Sequence, residues 1–145
     1  IHTIDPKKRE TQALVMAPTR ELVLQICQSL ASVAKNTGII IEPIYGGMPI
    51  TRQIVALKKG VHIVVGTPGR INDHIDRRTL DLSAIKTLVL DEADIMLDMG
   101  FKDDIDSIIE ATPENRTIWL FSATVMAGIK QLINSHMPRV LTVAT

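Results

Sequence analysis

The chain has 145 residues, 46% of them apolar, with 16 basic and 16 acidic side chains, which suits one domain with a single core. A net charge of zero provides no whole-domain field for a polyanion, so any contact with nucleic acid must be local. Its one cysteine, Cys27, can form no internal disulfide, no cysteine–histidine cluster has zinc-ligand spacing, and no signal peptide or bilayer-length apolar run is visible, so a cytoplasmic domain (nuclear in a eukaryotic source) with no membrane partner is the expectation.

Ile1 to Thr11, holding Asp5-Pro6-Lys7-Lys8-Arg9-Glu10, reads as an exposed polar lead-in. Ala13 to Ala17 is a compact apolar run of strand length. Glu21 to Lys35 then sets Leu22, Ile26, Leu30 and Val33 at helical spacing, with Thr19 as N-cap, Glu21 favouring the dipole and Gly38 closing the segment. Ile39 to Tyr45 is a second strand, which Pro43 places at a sheet edge or a bulge. Ile50 to Lys59 is helical through Ile50, Ile54 and Leu57. Val61 to Val65 is a third strand, and a helix opens near Pro68. Thr87 to Leu90 is a fourth strand, and Phe101 to Ala111 a helix ended by Pro113. Thr117 to Phe121 is a fifth strand, Ala127 to His136 a helix, and Val140 to Ala144 a last strand.

Cys27 and Trp119 lie within apolar patterns and are expected in the core. His2, His62, His74 and His136 are scattered and show no evident partners. Asp103, Asp104 and Asp106 read as first-turn helix acids, because a calcium loop's glycine and distal glutamate are missing. Ser122 lacks the Gly-x-Ser-x-Gly turn of a hydrolase nucleophile.

Strands this apolar, separated by helices, imply an α/β fold with a parallel sheet covered on both faces. Such sheets collect their ligands on the loops after the strands. In chain order those loops are Pro18-Thr19-Arg20-Glu21-Leu22, Gly46-Gly47, Thr67-Pro68-Gly69-Arg70, Asp91-Glu92-Ala93-Asp94 and Ser122-Ala123-Thr124. A carboxylate at the end of a buried strand can hold hydrated Mg²⁺, and a second beside it can take a proton from attacking water. Taken alone, Asp91, Glu92 and Asp94 fit helix-start acids equally well. Arg20 likewise fits an internal salt bridge to Glu21 or Asp94, and Gly46-Gly47 a tight turn.

All five loops together, with Asp98-Met99-Gly100-Phe101 after the acidic one, resemble the first RecA-like domain of the DEAD-box ATP-dependent RNA helicases, from about Gln12 to the C-terminus. The resemblance implies a RecA-like P-loop NTPase fold, a mostly parallel sheet flanked by helices. It implies ATP and Mg²⁺ as cofactors, RNA as partner, held mainly by its sugar-phosphate backbone, and a second RecA-like domain. Asp91 would hold Mg²⁺ through water, and Glu92 would orient or deprotonate the attacking water. Asp94 would hydrogen-bond Ser122 and Thr124 and couple nucleotide state to RNA. Pro18, Thr19, Arg20, Gly46, Gly47, Thr67, Gly69 and Arg70 match RNA-contact positions. Helix N-termini after Pro18 and Pro68 suit phosphate, the glycines permit close approach, and the arginines add charge-assisted bonds without reading sequence.

The chain also departs from the family. A phosphate-binding loop needs Gly-x-x-x-x-Gly-Lys-Ser/Thr, and no Gly-Lys dipeptide occurs in these residues. Residues 1 to 145 are therefore expected to be a partial N-terminal domain without the phosphate-loop strand, the adenine-reading segment or the second helicase domain, and inactive alone as an ATPase. Val140 to Ala144 would then detach from the sheet or pair with a second molecule or the lead-in. Ile95 and Val125-Met126 are smaller departures. The alternatives are a non-catalytic RNA-binding or partner-docking module, and a DNA-directed relative.

Overall fold

A computed structural model describes residues 1–145. The elements run β1 (Ala13–Met16), α1 (Arg20–Val33), β2 (Ile41–Ile44), α2 (Ile50–Lys58), β3 (Ile63–Gly66), α3 (Pro68–Asp76), β4 (Thr87–Leu90), α4 (Ala93–Asp98), α5 (Lys102–Glu110), β5 (Thr117–Leu120) and α6 (Ala127–His136). All five strands are parallel, in the order β2-β3-β1-β4-β5. The central strands β1 and β3 are buried at every residue, which is why their sequences are apolar without alternation. Pro43 lies in β2, an edge strand, where one missing N–H breaks no central ladder.

One crossover runs against the others. The connection from β1 to β2 carries α1 on one face of the sheet, and the connections toward β5 carry their helices on the opposite face. A single crossover handedness requires this arrangement, and it makes the adjacent ends of β1 and β4 the point where the chain departs in two directions. The larger core lies under α3, α5 and α6 and includes Leu14, Met16, Leu88, Leu90, Ile105 and Ile129. The smaller core lies under α1 and includes Val15, Val23, Tyr45 and Val65.

Several expectations are corrected. The lead-in is anchored: Ile4 is buried, Asp5 N–H donates to Gln12 Oε1 at 2.8 Å, and the Gln12 amide donates to the Asp5 carbonyl at 2.9 Å. Val33 is exposed, whereas Val23 is the buried residue of α1. Cys27 is only half-buried, and burial together with Glu42 pushes its thiol up to about 11. Trp119 is 56% exposed, because β5 is a sheet edge.

Val140 to Ala144 forms no strand. It passes β5 and α6 as irregular chain, lining a cleft of about 380 Å³ with Trp119 and Ile133. Detachment from the sheet is one of the two outcomes expected of it. Finally, a short helix, α4, follows Asp91 and Glu92, where the sequence left a ligand loop and a helix start both open.

Candidate functional site

Because every strand is parallel, every post-strand loop opens on the same edge of the sheet. Backbone hydrogen bonds continue the ladder past the strand ends and fix these loops to one another. Ala17 N–H donates to Gly66 O (3.0 Å), Thr67 to Ile44 (3.0 Å), Asp91 to Met16 (3.0 Å) and Phe121 to Leu90 (2.8 Å). Ala93 N–H donates to Phe121 O at 2.9 Å, joining the acidic loop to the start of Ser122-Ala123-Thr124.

At the β1 end, Pro18 is buried and Thr19 caps α1, its Oγ1 accepting from Leu22 N–H at 3.3 Å. Arg20 is exposed and makes no ion pair with Glu21 or Asp94. Its guanidinium lies 5.1 Å from the Tyr45 ring centroid, a cation–π contact that keeps the charge at the surface. At the β2 end, Gly46 and Gly47 are exposed, and a Cβ added to either would meet nothing within 4 Å. Gly47 has φ +85°, so a turn that needs glycine and a surface open to a ligand coincide there.

At the β3 end, Thr67 precedes α3, Pro68 occupies its first turn, and no side chain caps it. Gly69 is exposed, so this helix start faces solvent. Arg70 is half-buried, and its Nη1 donates to Met48 O (2.9 Å) and Gln53 Oε1 (3.2 Å).

The acidic loop follows β4. Asp91 is half-buried and its Oδ1 accepts from Glu92 N–H at 3.0 Å. Glu92 is exposed and sits in the left-handed region at φ 51° and ψ 49°, a sparsely populated conformation for a non-glycine residue. That turn sends the chain from β4 into α4 within two residues. Asp94 is 6% exposed; its Oδ2 accepts from Thr124 Oγ1 at 3.1 Å, and its Oδ1 is buried without a donor.

Ser122 corrects an expectation here. Its hydroxyl donates to the Thr124 carbonyl rather than to Asp94, closing a local turn in the loop. The side-chain link between α4 and this loop is therefore the Asp94–Thr124 bond, beside the backbone bond from Ala93 N–H to Phe121 O. Leu97 against Gly128 supports it from behind, where α4 packs on α6.

The histidines also have partners that sequence reading missed. His62 Nδ1 accepts from Ile40 N–H at 2.9 Å, and its Nε2 meets the Pro6 carbonyl at 3.1 Å. His74 binds Gln53 and Thr79, and His136 Nε2 lies 2.7 Å from Asp106 Oδ1. Asp106 also pairs with Lys102 at 2.7 Å. Burial would raise the Asp106 carboxyl, but the bonds from Lys102 and His136 outweigh it and hold the group below its usual range.

The structure defines a class of domain: an open parallel α/β sheet with paired acids at its chain-reversal point, and glycine and arginine loops on the same edge. Comparison with known proteins narrows this class. Residues 1–132 match the DEAD/DEAH box helicase family, and the chain belongs to it. It is 49% identical over 137 residues to the DEAD-box ATP-dependent RNA helicase CshA of Bacillus licheniformis, covering 94% of this chain and 28% of that one. It is 52% identical over 132 residues to the ATP-dependent RNA helicase CshA of Listeria monocytogenes, covering 91% and 25%. Among solved structures it resembles a DEAD box protein from the hyperthermophile Methanococcus jannaschii (TM-score 0.90, 43% identity, 94% of this chain and 37% of that one). It also resembles the yeast DEAD-box splicing factor Prp28 (TM-score 0.85, 33% identity, 91% and 32%). The chain spans about a quarter of the length of the curated relatives it matches.

Proposed function

We propose that this chain is the greater part of the first RecA-like domain of an ATP-dependent RNA helicase, which couples ATP hydrolysis to RNA binding and local strand separation. The observation that carries the proposal is the shared sheet edge. It gathers Asp91 and Glu92, the Asp94–Thr124 link, and the Arg20, Gly47 and Arg70 surface.

The acids fit Mg²⁺. All are hard oxygen donors, and Mg²⁺ binds one or two carboxylates and otherwise water and phosphate, so no protein cage of three ligands is needed. Asp91 would hold the ion through water, and the ion would neutralise charge on the transferred phosphoryl. Glu92, exposed and unpaired, would take the proton of the attacking water. Asp94 would report on that event through Thr124. The triphosphate cradle is a different matter, because no Gly-Lys lies within these residues.

On the RNA side, Thr19, Thr67 and Gly69 lie at the N-terminal ends of α1 and α3, and Arg20 and Arg70 carry the charge. Gly46 and Gly47 leave room for the ribose-phosphate chain. Contacts of this kind address backbone, and a 2′-hydroxyl among them favours RNA over DNA.

Two measurements test the reading. Purified as these residues alone, the chain is expected to release no phosphate from ATP with or without RNA; RNA-stimulated release would overturn that. Matched single strands of RNA and DNA should bind with RNA preferred; equal affinity would point to a DNA-directed relative. A second reading, a binding module without catalysis, is supported by one observation: the open Gly46-Gly47 turn and the Arg20 surface need no nucleotide to meet a ligand. Full activity on joining the chain to a phosphate loop and a second RecA-like domain would exclude it.

A further inference from the structure

Gln53 and His74 form the buried end of a hydrogen-bond chain that finishes at Arg70. Neither side chain has any exposure to solvent. Gln53 Oε1 is shared: Arg70 Nη1 lies 3.2 Å from it and His74 Nε2 lies 2.8 Å from it. The Gln53 amide nitrogen donates to the Tyr45 carbonyl at 3.0 Å. His74 Nδ1 lies 2.7 Å from Thr79 Oγ1.

Donor chemistry fixes the protons. A guanidinium only donates and a carbonyl only accepts, so the Gln53 amide has one orientation, oxygen toward Arg70 and nitrogen toward Tyr45. His74 Nε2 faces that same oxygen and must carry a hydrogen. Burial, and then Arg70, hold the imidazole below its usual range. At neutral pH the ring is thus neutral, and the single Thr79 hydroxyl hydrogen faces two acceptors, His74 Nδ1 at 2.7 Å and the His74 carbonyl at 3.1 Å.

The chain of bonds joins three elements. Gln53 is on α2, Arg70 and His74 are on α3, and the Tyr45 and Met48 carbonyls flank the Gly46-Gly47 turn. Both protein acceptors of Arg70 are reached through Nη1. Its Nε and Nη2 have none, and neither is sealed from solvent.

We infer that Gln53 and His74 are positioning residues for RNA phosphate binding: they hold Arg70 by one nitrogen and lock the Gly46-Gly47 turn to the start of α3. Nε and Nη2 then meet a single-stranded RNA phosphate already oriented, without the rotamer entropy a free arginine would lose. The inference rests on the RNA reading of Arg70 given above.

The test is a double-variant cycle on the full chain, with fluorescein-labelled poly(U) RNA followed by anisotropy at low salt. Arg70→Ala should weaken binding about fivefold, the scale of one net hydrogen bond. Gln53→Leu should weaken it as much, and the combined variant should bind no worse than Arg70→Ala. If Gln53→Leu binds like the parent while Arg70→Ala does not, the inference falls and the RNA reading stands. Losses that multiply in the combined variant would mark a general stability role and also overturn it. Should Arg70→Ala leave affinity unchanged, the RNA reading of that arginine fails and takes the inference with it. If Gln53→Leu does not fold, the imidazole ¹⁵N spectrum of the unaltered chain decides. A proton on His74 Nε2 alone supports the network, and one on Nδ1 overturns it.

Discussion

Replacing Thr124 with valine keeps the side-chain shape and removes one hydroxyl. Asp94 is 6% exposed and receives its one hydrogen bond from that hydroxyl, at 3.1 Å. Its other oxygen is already buried without a donor. Thr124→Val would leave the whole carboxylate unsatisfied. Hydrogen bonds to charged groups contribute about 1.5–3 kcal/mol net. Thr124 itself is exposed, so the loop can move and admit water, and the lower end applies: about 1.5 kcal/mol. For a chain of this size that lowers the melting midpoint by roughly 5 °C. Ser122→Ala is the control, because the Ser122 hydroxyl bonds only within its own loop. It should cost about 0.5 kcal/mol or less. Urea unfolding and thermal melts at neutral pH measure both. Equal losses for the two variants, or no loss for Thr124→Val, would refute the view that the Thr124 side chain, and not that of Ser122, ties α4 to this loop.

Other outcomes follow from the same geometry. Gly66→Ala would place a Cβ 2.5 Å from the Ile44 carbonyl oxygen and 2.9 Å from Ile71 Cγ1, and should cost about 2–4 kcal/mol by denaturant titration. Trp119→Lys lies on the open edge of β5 and should change stability by about 0.5 kcal/mol or less, while reducing concentration-dependent association in light scattering. Acid should destabilise the fold in two windows. The folded state holds His74 below its usual 6.5, so the unfolded chain binds more protons there; the stability this group provides is complete above about 6.5 and is lost as pH falls through its depressed folded value. Asp106 acts in the same direction lower down, complete above about 3.8 and lost as pH falls through its depressed folded value. Equilibrium unfolding across pH should show stability falling from pH 6.5 downward, and a flat profile there would contradict the buried neutral imidazole.

Most of the sheet was legible in the sequence. Short apolar runs such as Ile63 to Val65, bounded by turn residues and rich in β-branched side chains, fit strands buried on both faces, and Pro43 points to an edge or a bulge by its missing donor. Thr19 and Pro68 announce helix starts through chemistry local to the chain. For β5, position in the sheet was not legible. Trp119 sits in an apolar pattern like the others, and its exposure follows from β5 being outermost, which no local signal records. The α4 helix is short and begins at a left-handed Glu92, so its apolar period is too brief to register.

Long-range polar pairing was the other blind spot. His74 and Gln53 look like ordinary helix residues, yet each is buried with partners on another element. The one available hint was a glutamine three residues after Ile50 and one before Ile54, on the buried side of α2. The orientation of Ser122 was likewise undecidable, because its hydroxyl had two acceptors within reach of the chain, Asp94 and the loop's own carbonyl, and the nearer in sequence prevailed.

The central claim is that Asp91 and Glu92 serve a nucleotide at the sheet edge. Its most direct test is Glu92→Gln in the helicase that contains this chain, measuring RNA-stimulated ATP turnover alongside nucleotide and RNA binding. The account predicts turnover lower by about a hundredfold or more, the scale of a general base, with both affinities kept. Turnover unchanged with Gln at position 92 would contradict it.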